Sequence, residues 1–188
     1  MTRIISGYLG SMQLKGAAKA TRPTSDRVKE SLFAKLDAMG VLEGAEVLDL
    51  FAGTGALGIE AASRGAKRVK FVEQDRTAHS LLTQNIALAT QSFNKQGVEA
   101  YLDAQNLDAK KFLKNATGFF DLVFIDPPYE FANSDLTELI ELLTKNLNSD
   151  ALVVVERSSR SEKPDLEGLE LQSEKSYGDT AVWIYQKS

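Results

Sequence analysis

The chain has 188 residues, 43% of them hydrophobic and 26% charged, and a formal net charge of −4. That is enough apolar material for a real core in one domain, with no apolar run near the 18 residues of a membrane span. Having no cysteine and one histidine, it excludes disulfides and thiolate metal sites, and it argues against a histidine-built metal centre or a Ser-His-Asp triad.

The charge is unevenly spread. Residues 1–36 carry Arg3, Lys15, Lys19, Arg22, Arg27, Lys29 and Lys35 against Asp26 and Glu30, a local balance of +5 with −9 left for the remainder. A basic arm on an acidic body suits a polyanionic partner. The start, Met1-Thr2-Arg3-Ile4-Ile5-Ser6-Gly7, lacks the apolar region of a signal peptide, so the cytoplasm is the expected compartment. Within 4–14, Gly7 and Gly10 lie between apolar pairs, which suits a short hairpin. We therefore expect a basic arm over 1–24 and one larger domain over 25–188.

After the arm, Val28, Leu32, Phe33 and Leu36 share one helical face, and Ser25 or Asp26 is placed to cap that helix. From residue 45 short apolar runs alternate with helical periodicity. Strands are predicted over 47–51, 69–73, 98–103, 122–126 and 152–156, and helices near 56–64, 76–90, 108–116 and 134–147. This alternation predicts a parallel sheet covered on both faces. The carboxyl-terminal runs 169–174 and 180–185 flank Ser176-Tyr177-Gly178-Asp179, so they are expected to form a hairpin with an antiparallel final strand. His79, on the predicted helix 76–90, reads as a solvated surface residue.

Two loops carry the chemistry. The first is Asp49-Leu50-Phe51-Ala52-Gly53-Thr54-Gly55-Ala56-Leu57-Gly58, in which Gly53, Gly55 and Gly58 spell G-x-G-x-x-G and Glu73 closes the following strand. That pattern serves a dinucleotide or the adenosine half of S-adenosylmethionine, both of which need a tight turn and an acid for the ribose hydroxyls. Asp49 favours the second, because a carboxylate beside the loop repels a pyrophosphate and attracts an ammonium or sulfonium. At about 4 Å and an effective dielectric near 20 a unit pair is worth about 4 kcal/mol before desolvation. The second loop is Asp126-Pro127-Pro128-Tyr129, directly after the strand Asp121-Leu122-Val123-Phe124-Ile125. Two prolines stiffen the exit from that strand. The elbow so formed presents a carboxylate to accept from an amino group and a phenol to stack on a ring.

The loop 49–58, the acid in Phe71-Val72-Glu73-Gln74-Asp75 and the elbow occur in the order of class I amino-methyltransferases. Together with Arg3-Ile4-Ile5-Ser6-Gly7, Thr21-Arg22-Pro23-Thr24-Ser25-Asp26-Arg27-Val28 and Tyr177-Gly178-Asp179-Thr180, the chain resembles the bacterial 16S ribosomal RNA guanine-N2 methyltransferase family over nearly its whole length. One departure is Glu156-Arg157-Ser158-Ser159, where the family often places His or Asp after the glutamate.

The resemblance implies a Rossmann-like class I methyltransferase fold: an α/β, seven-stranded, mostly parallel sheet with an antiparallel last strand and a small basic N-terminal extension. It implies S-adenosyl-L-methionine as methyl donor and the N2 amino group of a guanine in 16S ribosomal RNA as acceptor. Asp126 and the Pro127 carbonyl would accept the amino hydrogens and Tyr129 would stack on the flipped base, with Pro128 beside it. The backbone of Phe51, Ala52, Gly53, Thr54 and Gly55 would cradle the donor. Glu73 would bind its ribose, Asp108 its adenine amine and Asp49 its ammonium, with Gln74 also among the donor-binding residues. Arg22 and Thr24 would lie near the cleft, while Arg3, Lys15 and Lys19 would meet RNA phosphates. The expected partner is ribosomal RNA within a small-subunit particle; no metal or membrane is implied, and nothing demands a second copy of the chain.

Overall fold

A computed structural model describes residues 2–16, 26–128 and 130–188. The described residues form one seven-stranded sheet in the order β3-β2-β1-β4-β5-β7-β6. Its strands are β1 (Glu46–Asp49), β2 (Arg68–Val72), β3 (Tyr101–Gln105), β4 (Phe120–Ile125), β5 (Leu147–Ser158), β6 (Leu169–Tyr177) and β7 (Thr180–Lys187). The first five pair in parallel, and β7 runs antiparallel to both β5 and β6.

Period-two alternation on buried strands divides the core into two layers. Leu122 and Phe124 of β4 join Val47, Phe71 and Val154 beneath α1 (Asp26–Ala38), α2 (Ala56–Ser63) and α3 (Arg76–Gln96). Val123 and Ile125 face the other way, with Leu48, Val72, Val153 and Val155, beneath α4 (Ala109–Asn115) and α5 (Asn133–Leu143). Helices on both faces and near-continuous apolar strands are what a parallel sheet requires.

Boundaries differ where tertiary pairing decides them. The expected strand over 98–103 begins only at Tyr101, opposite Arg68 of β2; Val98 and Ala100 pack on the core without joining the ladder. The helix expected over 76–90 runs to Gln96, because Phe93 continues the buried face through a polar stretch. Asp75 caps its start by accepting from Ala78 N–H at 2.8 Å, and Gly97 ends it at φ +68°. His79 is half-buried in the first turn, with Nε2 enclosed, rather than solvated. The cap expected from Ser25 lies outside the described residues; α1 begins at Asp26.

Residues 2–16 double back on themselves: Ile4 N–H donates to the Met12 carbonyl and Leu14 N–H to the Thr2 carbonyl, each at 2.9 Å. Ile4, Leu9 and Leu14 are buried in the layer under α1, α2 and α3. Among the described residues no helix is long and apolar enough to cross a membrane.

Candidate active site

Strand order reverses between β1 and β4, which lie side by side with Asp49 opposite Phe124. Connections leaving the two strands must part there, one to each face, and the crevice between them is where open α/β sheets bind ligands. One wall is the chain leaving β1. Leu50 N–H donates to the Phe124 carbonyl and Ala52 N–H to the Val72 carbonyl, both at 3.1 Å, and Gly55 N–H closes a turn onto the Ala52 carbonyl at 2.7 Å. Gly55 then opens α2.

The glycines have different jobs. A Cβ on Gly58 would stand 2.3 Å from the Phe71 ring and 2.9 Å from Val69, so this glycine lets α2 lie directly on β2. Gly53 has φ +54° and nothing within 4 Å of where its Cβ would be. Its bare backbone therefore faces space that a ligand can enter.

Glu73, just past β2, fixes this loop. Its Oε2 accepts Gly53 N–H at 2.8 Å and its Oε1 accepts Asp75 N–H at 2.7 Å. Asn106 secures the backbone beside it, donating to the carbonyls of Glu73 at 2.8 Å and Gln74 at 3.0 Å; the Gln74 side chain is exposed. Asp108 caps α4 by accepting Lys111 N–H at 3.0 Å.

Three carboxyls gather at the ends of β1, β4 and β5. Asp49 is 1% exposed and accepts Gly58 N–H at 3.0 Å. Burial pushes its pKa up to about 7, against the Gly58 amide that lowers it and with Glu73 adding repulsion. Asp126 is half-buried, and its carboxyl is held well above the ordinary range, first by desolvation, then by Glu156 and then by Asp49. Glu156, on β5, is itself buried. Such a cluster resists full ionisation until positive charge enters.

The elbow forms the opposite wall. Pro127 is buried and Pro128 exposed, and the Pro128 carbonyl accepts Phe131 N–H at 2.9 Å. Arg157 holds the chain beyond the elbow, donating to the Phe131 carbonyl and, at 3.2 Å, to Asn133 Oδ1. The Phe131 ring meets Phe51 of the glycine loop edge-on, with centroids 5.3 Å apart. The two walls therefore touch through an aromatic pair.

Of the expected site residues, the structure thus brings Asp49, Phe51, Ala52, Gly53, Thr54, Gly55, Glu73, Asp126 and Pro127 around one crevice. Tyr129, Arg22, Thr24 and Lys19 lie outside the described residues. Arg3 and Lys15 are exposed on the doubled-back segment, where Arg3 pairs with Asp26 at 3.1 Å and Lys15 Nζ donates to Gln84 Oε1 at 2.9 Å.

The family model described as Conserved hypothetical protein 95 matches residues 2–186. The protein named ribosomal RNA small subunit methyltransferase D of Haemophilus influenzae is 38% identical over 98% of this chain and 93% of its own. Its namesake in Escherichia coli is 37% identical over 98% and 89%. This chain belongs to the rRNA methyltransferase family. An Escherichia coli structure superposes with a TM-score of 0.83 at 36% identity, covering 99% of this chain and 97% of that one. The class I methyltransferase fold extends to far more distant proteins, among them magnesium protoporphyrin IX methyltransferase of Synechocystis, at TM-score 0.65 and 15% identity.

For an rRNA methyltransferase the crevice fits its donor: open backbone at Gly53, an acid anchored beside it, and buried carboxyls that gain from a cation. Four contributors were given no role by motif reading. Glu156 acts through charge at a distance, and Arg157 and Asn106 hold backbone carbonyls. Asn85, on α3, bonds the Thr54 carbonyl at 2.9 Å from 31 residues away. Two of them left a signal: Glu156 as a lone acid ending an otherwise apolar strand, and Arg157 as the departure from the family pattern after it.

Proposed function

We propose that the protein transfers a methyl group from S-adenosyl-L-methionine to the exocyclic N2 of a guanine in 16S ribosomal RNA. The observation that carries this reading is the Asp126 carboxyl at the end of β4, one strand from the glycine loop at β1. An amino group presented there meets an acceptor on a rigid elbow. The small-subunit rRNA methyltransferases to which the chain is similar support the choice of RNA.

The donor, when bound, supplies an electrophilic methyl on a sulfonium. The remaining work is positioning by this chain. Glu73 keeps Gly53 in place and has lone pairs left for ribose hydroxyls. Asp108 would share its carboxylate between the α4 cap and the adenine amine. Asp49 would face the ammonium. On the acceptor side, Asp126 and the Pro127 carbonyl would each take one N–H of the guanine amine. That arrangement localises the nitrogen lone pair and aims it, a gain of orientation and electrostatics rather than of covalent catalysis. The assignment to Pro127 is favoured because the Pro128 carbonyl already closes a turn onto Phe131. Tyr129, with Pro128 beside it, would stack on the flipped base, worth about 1–3 kcal/mol.

In this reading residues 1–24 are a basic arm that meets RNA and 25–188 the catalytic domain, working as a single copy on a small-subunit particle in the cytoplasm. Arg22 and Thr24 would border the cleft, and Arg3, Lys15 and Lys19 would neutralise phosphates, so affinity should fall with salt. The test is direct. Small-subunit RNA from cells lacking the protein should miss one N2-methylguanine that the purified protein restores; an unchanged modification map refutes the target.

A further inference from the structure

Four buried polar side chains hold residues 3–15 against the domain. Lys29 of α1 donates to the Arg3 carbonyl, Glu60 of α2 accepts from Ile5 and Ser6, and Ser63 accepts from Leu9. Asn85 of α3 differs from these in also touching the glycine loop. Its side chain has no solvent exposure. Its Oδ1 accepts Lys15 N–H at 2.8 Å, while Nδ2 donates to the Lys15 carbonyl at 3.0 Å and to the Thr54 carbonyl at 2.9 Å.

That pattern fixes the amide's orientation, since the reverse would set an oxygen against two carbonyls. It also uses both amide hydrogens, one on each segment. To Lys15 the planar amide is a substitute strand partner; to Thr54 it is a peg. Neither contact can shift without turning the amide and straining the other. Thr54 sits between Gly53, held by Glu73, and Gly55, so it belongs to the backbone over which the donor would lie. Lys15 begins the run that continues through residues 17–25, where Arg22 and Thr24 stand.

We propose that Asn85 is a positioning residue through which donor binding at the glycine loop fixes the RNA-facing arm at Lys15. This rests on the reading that the arm meets RNA. A ligand resting on Gly53 and Thr54 narrows the positions open to the Thr54 carbonyl, and thereby those open to the amide and to Lys15. By linkage, RNA that engages the arm must tighten donor binding by the same factor.

Small ribosomal subunits purified from cells lacking the protein provide the probe. Their affinity for wild type, Asn85→Ala and Asn85→Asp is measured with and without saturating S-adenosylhomocysteine. The wild type should bind at least about fivefold tighter with it, the lower end of measured couplings. Both variants should bring that ratio toward one and raise KM for the subunits by a larger factor than they lower kcat. A variant ratio equal to the wild-type ratio overturns the proposal, as does a wild-type ratio of one. In wild type alone, amide exchange at Lys15 should slow on adding S-adenosylhomocysteine, and an unchanged rate also overturns it. That arm needs neither RNA nor a variant. If wild type fails to methylate the subunits the functional reading falls, whereas methylation without coupling removes only the role of Asn85.

Discussion

Removing the Asp126 carboxyl should stop methyl transfer without emptying the donor loop. Asp126→Ala is expected to lower kcat by about 10²–10³-fold, the cost of losing one aimed polar group, while calorimetry with S-adenosylhomocysteine gives nearly the wild-type affinity. Two glycines should separate in the same assay. Gly58→Ala forces Phe71 and Val69 apart and should cost about 1–3 kcal/mol of stability in urea unfolding. Gly53→Ala meets no neighbour but sets an alanine at φ +54°, so it should cost about 1–2 kcal/mol of stability and lower donor affinity as well. At this scale the sequence spoke clearly about which residues line the crevice, because the glycine loop and elbow are local patterns. It spoke less well about charge. Asp49 reads as a carboxylate poised for a cation, yet burial leaves its pKa near 7, so repulsion of a pyrophosphate is weaker than a full charge implies. No local pattern reveals that Asp126 and Glu156 are neighbours across the sheet.

Among the elements, the segment 2–16 depends on α2 more than its sequence suggests. Glu60, fully buried, accepts Ile5 N–H at 2.6 Å, Ser6 N–H at 3.1 Å and Arg64 Nε at 2.7 Å. Glu60→Ala leaves two amides and a guanidinium short of an acceptor and should destabilise by about 3–5 kcal/mol, as broken buried pairs do. Chemical denaturation read at Trp183 would measure it; a loss below about 1 kcal/mol would mean that water replaces the carboxylate. The alternation of strands and helices was readable because apolar runs and periodic faces are encoded residue by residue. The start of β3 and the end of α3 were not. The first is set by which residue finds Arg68 of β2, and the second by how far Phe93 reaches into the core. Glu60 likewise sits inside a small-residue helix, and the partners that explain it are more than 50 positions away.

For the molecule as a whole, the buried carboxyls make stability fall as pH rises. An unfolded aspartate titrates near 4 and folded Asp49 near 7. Between those values the native state binds more protons than the unfolded one, so unfolding free energy declines with pH, by up to about 1.4 kcal/mol per unit. Asp126 adds to the decline in the same direction. A cationic donor favours the ionised forms, so the rise in Tm on adding S-adenosylmethionine should be larger at pH 8 than at pH 5. Scanning calorimetry at both values checks this, and an equal rise would separate the donor's charge from these carboxyls.

The place of β7 has a consequence for synthesis. This strand follows β5 and β6 in the chain yet lies between them, so the sheet cannot close in the order in which it is made. Until residues 180–187 emerge, Val153 and Val155 sit on an open strand edge and β6 has nothing to pair with. An interrupted chain therefore carries an adhesive edge. A chain cut short before residue 180 should therefore aggregate where the full chain does not.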